Sequence, residues 1–453
     1  MLISRIKMPF SPISKKLGSD PKNAIVGTFL VANAFLWYLG AFKFLQIGFT
    51  NNSLLIIISA NILCLALAAL LVTLLINKFR NRLTFIKYWV LAGLPFSAAF
   101  VFLPASNFLG VAITSGILGI YFGVGMPICM GYFSSTTRSE NRAKYSAIII
   151  LMIGLGFPIF TLIYATQTLM IASALTGWRV LALVSIFLIK PSEKIAEPKN
   201  AISYRSVITN KTFLLYLVPW FMFVLINDLT SNINSINFSQ TLGGNYLIVE
   251  NVLSGISAVV CGLIADKKGR KRIALVGFAL LGIGYAALGI FNAAYFAAWF
   301  YICADGIAWG AFSMLFIIAL WGDIAQEKNS EKYYFLGVLP YLLSNFTGLS
   351  LGPSVTYLLG RNEGTVFSFA SFFLFLAILP LAYAPETLSE RIIKNIDLNS
   401  YVNKALEKVK KESSKKPESQ IELTSEETEM VKEESENLSA DEIAARKLAK
   451  KYY

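Results

Sequence analysis

Apolar residues fill this chain in long unbroken runs, and polar residues gather in short clusters between them. Runs of roughly 20 apolar residues suffice to carry a helix across about 30 Å of hydrocarbon. Twelve occur before Pro385, and they predict spans near 24–48, 53–76, 84–105, 108–133, 145–167, 171–189, 213–236, 246–265, 273–291, 294–321, 335–358 and 364–384. Trp178 and Arg179 interrupt the sixth. The pattern predicts an all-α, polytopic membrane protein. Composition agrees: 55% of the 453 residues are hydrophobic, 15% are charged and the mean hydropathy is +0.60, which excludes a soluble multidomain protein. The N-terminus, MLISRIKMPFSPISKK, is basic, but the apolar run from Ala24 is too long for a signal-peptide core, so it reads as a retained first helix.

In a soluble chain a net charge of +13 would suggest nucleic acid. Here the basic residues fall into alternate loops, the mark of cytoplasmic loops, and no nucleic-acid partner is expected. Lys7, Lys15, Lys16 and Lys22 precede span 1; Lys78, Arg80 and Arg82 follow span 2; Arg138, Arg142 and Lys144 follow span 4. The linker after span 6 is basic, KKGRKR follows span 8, and Lys328 and Lys332 follow span 10. The intervening loops GFTNN, PASN, NSINFSQTLGGN and NAAY have neither Lys nor Arg, so both termini are expected in the cytoplasm of a multi-pass cell-membrane protein. Cys64, Cys129, Cys261 and Cys303 lie within spans and suggest neither a disulfide framework nor a metal site. The chain has no histidine, and no metal or cofactor is expected.

Displaced on itself by about 190 residues, the sequence aligns like with like. NKFRNRL after span 2 falls on DKKGRKRI after span 8, matching Arg80 to Arg270 and Arg82 to Arg272, and SENRAKY falls on NSEKYYF. Two parallel six-helix units follow, as in transporters built from parallel repeats. The expected division is a cytoplasmic N-terminus at 1–23, an N-terminal bundle at 24–189, a linker at 190–211, a C-terminal bundle at 212–384 and a cytoplasmic tail at 385–453. The tail is rich in Lys, Glu and Ser and is expected to be largely disordered, with two short candidate helices, LNSYVNKALEKVKK and SADEIAARKLAKKYY.

GLIADKKGRKR at 262–272 resembles the signature loop of the major facilitator superfamily. Gly262 permits close helix approach, Gly269 a tight turn, and Asp266 can face the positive N-terminus of a helix. Arg270, Lys271 and Arg272 can bind acidic groups or lipid phosphates. In that family such loops latch the cytoplasmic gate, and the resemblance implies a latch of these residues with Arg142 and Arg82. The first-half copy has Asn77 in place of Asp266 and is shortened around Phe79, implying a weaker latch. GYFSSTTRSENRA at 131–143 and TGWRVLALVSIF at 176–187 are similar to the family's loop between helices 4 and 5 and its start of helix 6, and PSEK and PETL are similar to its sugar-transporter branch. The arginine typical of its proton antiporters is replaced by Ala112. The implied fold is two six-helix bundles related by a pseudo-twofold axis. The implied function is secondary transport of a small molecule by alternating access, as a monomer in contact with membrane lipids, with the proton as candidate coupling ion.

Ionisable groups inside a bilayer are costly enough to be functional candidates. Asp305 lies about ten residues, or roughly 15 Å, into span 10, close to the midplane, where it is the candidate coupling or substrate carboxylate. The resemblance implies that spans 1, 4, 7 and 10 line the cavity. On these, Asn33, Tyr121, Asn227, Asp228 and Trp309 are candidate substrate contacts, and Lys43 and Asp228 a candidate outer gate pair; Glu250 reads as merely interfacial. A membrane enzyme would need a carboxylate or metal cluster in its loops, and the sequence has none; an enzyme is not expected. The competing reading is a transporter-like receptor or scaffold signalling through its tail.

Overall fold

The computed structural model describes residues 21–76, 81–102, 107–163, 168–191, 202–242, 246–291, 294–325, 330–358 and 363–388. The N-terminal segment before residue 21, most of the linker, Asn77, Phe79 and Arg80, and the tail beyond 388 with its candidate helices lie outside the described residues.

In hydrocarbon every backbone N–H and C=O must find its partner within the segment, so apolar runs of this length fold as helices. Twelve long helices follow one another: α1 Pro21–Gln46, α2 Asn51–Leu74, α3 Arg82–Ala99, α4 Phe108–Thr136, α5 Arg142–Ile163 and α6 Thr168–Ile189. After a short linker helix, Tyr204–Ile208, come α7 Lys211–Leu242, α8 Tyr246–Lys268, α9 Arg270–Ile290, α10 Tyr295–Ala325, α11 Ser330–Leu358 and α12 Glu363–Tyr383. Among the described residues, eleven helices are apolar and long enough to cross a membrane; the twelfth, α11, has 29 residues. Asn81 and Asn107 start α3 and α4 by accepting the N–H of Thr84 and Gly110 at 2.9 and 3.0 Å. Leu63, Leu67, Leu71 and Leu74 form an exposed stripe along α2. In water such stripes would associate; here they face lipid.

The helix pairings repeat. In the first half α2 packs on α4, α3 on α6 and on α4, and α1 on α4, α5 and α6; in the second α8 packs on α10, α9 on α12 and on α10, and α7 on α10, α11 and α12. Between the halves α5 meets α8 and α11 meets α2, a pair that exchanges under the same pseudo-twofold. Small residues allow the closest approaches. Gly119 and Gly123 bring α4 against the Asn61 and Leu65 carbonyls of α2, and Gly306 and Gly310 bring α10 against Glu250, Leu253 and Ser254 of α8. Gly154 of α5 abuts Gly255 and the Asn251 carbonyl of α8, and further along Ala143 and Ala147 abut Gly262. A π-helical stretch, Ser313–Ala319, interrupts α10.

Candidate functional site

The polar contacts that join the halves cluster at the end bearing the basic loops. Gly269 adopts φ +100°, open only to residues without a Cβ, and turns the chain from α8 into α9. The new helix starts on Glu386, whose carboxylate accepts the N–H groups of Arg270 and Lys271 at 2.8 and 3.1 Å. The buried guanidinium of Arg270 is held by Asp266 at 2.8 Å, Asp323 at 3.1 Å and the Ala265 and Ser139 carbonyls at 2.7 and 2.5 Å. Arg142, from the other half, reaches the second oxygen of Asp323 at 2.5 Å and the Ser134 and Thr137 carbonyls, each at 2.9 Å. Asp266 in turn accepts the N–H groups of Ala143 and Lys144 at 3.2 and 2.8 Å. Two guanidinia and two carboxylates thus neutralise one another with nearly every lone pair used, the condition under which buried charge is tolerated. Arg82 adds a second ion pair between the halves at this end, meeting Glu331 at 2.6 Å. Lys271 reaches the Ala382 carbonyl and Arg272 is exposed; neither crosses between the halves.

Away from that end a cavity separates the halves. One chamber of about 250 Å³ is walled by Phe35 of α1, Gly154 of α5, Glu250 and Ser254 of α8, Trp309 of α10 and Tyr341 of α11. It adjoins a second of about 170 Å³ that contains Lys43 and shares Leu39 and Tyr341 with it. Three side chains of the π-helical stretch, Ser313, Ile317 and Ile318, also line the larger chamber.

Several candidate residues sit elsewhere than span position suggested. Asp305 does not line this chamber. It lies five residues from the middle of α10 toward the end remote from the basic loops, about 7 to 8 Å off centre, and is buried within the second half. Its Oδ1 has no hydrogen-bond partner, and Glu250 and Tyr301 are its polar neighbours. Glu250, read as interfacial, is the member of this carboxyl pair that faces the cavity. Behind them a hydroxyl chain crosses the half: Tyr301 donates to Tyr285 at 3.0 Å, Tyr285 bonds Thr230 at 2.8 Å, and Asn234 donates to Tyr301 at 3.1 Å.

Asn33 and Tyr121 face the interior of the first half. Asn33 bonds the Trp178 carbonyl at 2.5 Å and accepts from Arg179 at 3.2 Å, and Tyr121 donates to the Trp89 carbonyl at 2.5 Å. Arg179 is fully buried there, its guanidinium 4.2, 4.8 and 5.6 Å from the ring centroids of Trp37, Trp89 and Tyr121, so π faces take the place of a carboxylate. Asp228, with Asn227 beside it, packs against Ser344 and Gly348 of α11, while Lys43 is exposed in the smaller chamber. Lys43 and Asp228 form no ion pair. Trp309 alone of the candidate substrate contacts lines the larger chamber. Asp323, Glu331 and Glu386 escaped the sequence reading because a carboxylate at a helix end resembles an ordinary solvated charge until its partner on another helix is known.

Two pseudo-symmetric helical bundles enclosing a shared cavity define a polytopic membrane carrier. The profile of the Major Facilitator Superfamily matches residues 24–326, and the chain belongs to that superfamily. It is accordingly a multi-pass membrane transporter of the secondary class rather than an enzyme. Solved structures share the fold. The proton:xylose symporter XylE, bound to 6-bromo-6-deoxy-D-glucose, is 15% identical with a TM-score of 0.60, over 83% of this chain and 97% of that one. The E. coli fucose:proton symporter FucP is 12% identical with a TM-score of 0.59, over 81% and 98%. The human organic anion transporter MFSD10 is 14% identical with a TM-score of 0.57, over 79% and 98%. No curated protein matches the sequence.

Proposed function

We propose that the protein moves a small solute across the cell membrane by alternating access, driven by protons, with the basic loops and both termini in the cytoplasm. On this reading the structure is the outward-facing state, and the bundles at 24–189 and 212–384 rock about the cavity between them. The Arg142–Asp323–Arg270–Asp266 cluster, with Arg82–Glu331, is the cytoplasmic latch. The observation that carries the coupling is a buried Asp305 with an unpartnered Oδ1, set behind Glu250 of the cavity wall where α10 packs on α8. Neighbouring carboxyls in a site of low dielectric hold a proton between them rather than both ionise. Opening the cavity to one side and then the other would expose that proton site alternately.

The test is uptake of a metabolite panel into proteoliposomes at two pH values, followed by Asp305→Asn with the substrate so found. Asparagine mimics the protonated acid. The expected outcome is loss of accumulation against a gradient with exchange retained. Accumulation equal to wild type by a normally folded Asp305→Asn protein would refute proton coupling through this pair.

A further inference from the structure

The charge balance at the cavity wall differs from that at the latch. At the latch Asp266 and Asp323 each meet a guanidinium, and Asp266 also takes two backbone N–H groups. Glu250 and Asp305 have no such compensation. With one of them ionised the pair carries one negative charge, and among the described residues no ion pair reaches either carboxyl. Asp305 Oδ1, buried, has no hydrogen-bond partner at all. Uncompensated charge in a site of low dielectric is costly, and a cation that enters the cavity removes the cost.

The rest of the wall describes what such a cation carries. Trp309 and Tyr341 meet edge to face, their centroids 6.1 Å apart at 75°, and form an aromatic corner that Phe35 faces across the chamber. Aromatic faces attract a weakly hydrated cation and pack against an apolar body. The volume of about 250 Å³ exceeds the roughly 150 Å³ that accommodates a benzene ring. Besides Glu250 and the polar edges of Trp309 and Tyr341, the wall offers Asn251, Ser254 and Ser313, and its remaining residues are apolar or glycine, which suits an apolar body better than a polyol. Lys43, the one basic residue of the adjoining chamber, is exposed and does not line this one.

We infer that the larger chamber binds a monovalent organic cation with an apolar or aromatic body, its positive group against Glu250 and its body in the Trp309–Tyr341 corner. The inference rests on the transport reading above and names the substrate class of its cavity. It is tested on the full-length protein in detergent at fixed pH and ionic strength, by thermal shift and titration calorimetry. Four probes are compared: benzyltrimethylammonium, neutral N,N-dimethylbenzamide, benzenesulfonate and sodium. The expected result is at least tenfold tighter binding of benzyltrimethylammonium than of the other three. Glu250→Gln should lose that preference while its ligand-free unfolding midpoint stays within a few degrees of wild type, and Glu250→Asp should restore part of it. Equal binding of the cation and the amide, tightest binding of sodium or benzenesulfonate, no binding of benzyltrimethylammonium, or unchanged cation affinity in Glu250→Gln would each overturn the inference. Should it fall while Asp305→Asn still separates accumulation from exchange, the cation assignment is wrong and the proton-coupled transport reading stands.

Discussion

Replacing Asp323 by asparagine perturbs the proposed latch at the one carboxylate that guanidinia from both halves share. Asp323 is fully buried and Arg142 nearly so, so solvent screens their 2.5 Å contact little. The Arg270–Asp323 bond lies within one half and survives when the halves part, whereas the Arg142–Asp323 bond is broken. The closing equilibrium therefore loses one charge-assisted hydrogen bond, about 1.5 to 3 kcal/mol. Two buried guanidinia then face each other across a neutral amide, and the cost rises toward the roughly 3 to 5 kcal/mol typical of breaking a buried pair. Even the lower figure multiplies the open population at the basic end by about ten, and 3 kcal/mol by about 150. Spin labels at Lys144 and Arg272, exposed residues on opposite halves at that end, report the opening by pulsed electron spin resonance. A longer-distance population should appear in Asp323→Asn and be absent or minor in wild type. An unchanged distance distribution would refute the assignment of Asp323 as the keystone of the closure.

Asp266→Asn should shift the same labels in the same direction but less, because it weakens a charge–dipole interaction with α5 worth about 0.3 to 2 kcal/mol; a shift larger than that of Asp323→Asn would reverse the assigned order. Gly154→Val places a Cβ 2.7 Å from the Asn251 carbonyl oxygen and 2.9 Å from the Gly255 Cα, an overpacking of about 1 to 3 kcal/mol at the α5–α8 crossing. It should separate the halves near the cavity and lower the unfolding midpoint, and an unchanged midpoint would show that the crossing is looser than described. Arg179→Lys keeps the charge but loses the planar contact with Trp37 and Trp89, about 2 kcal/mol for a desolvated cation–π pair. Its midpoint should fall by several degrees, and stability equal to wild type would mean that the aromatic cage contributes little.

The places of the long helices were legible in the chain, because a bilayer demands runs of about 20 apolar residues whatever packs around them, and eleven of the twelve are apolar and long enough to cross. The repeat and the loop of the proposed latch were legible as well, since Gly262, Asp266, Gly269 and Arg270 stand close together in the chain. Even the interrupted sixth run became a full helix, α6, because Arg179 is wrapped by rings from α1, α3 and α4. Which face of each helix meets the cavity emerged from packing alone. The helices are apolar all round, so periodicity leaves no stripe to mark their inner side. Asn33 and Tyr121 therefore proved to face the core of the first half. Depth misled in the same way: counting from the start of each helix put Asp305 near the midplane and Glu250 at the surface, but α10 packs on α8 with Gly306 against the Glu250 carbonyl, which sets the two acidic residues side by side. The partners of Arg142 and Arg82, namely Asp323 and Glu331, stand about one repeat length or more away in the chain, and only the meeting of two bundles places them together.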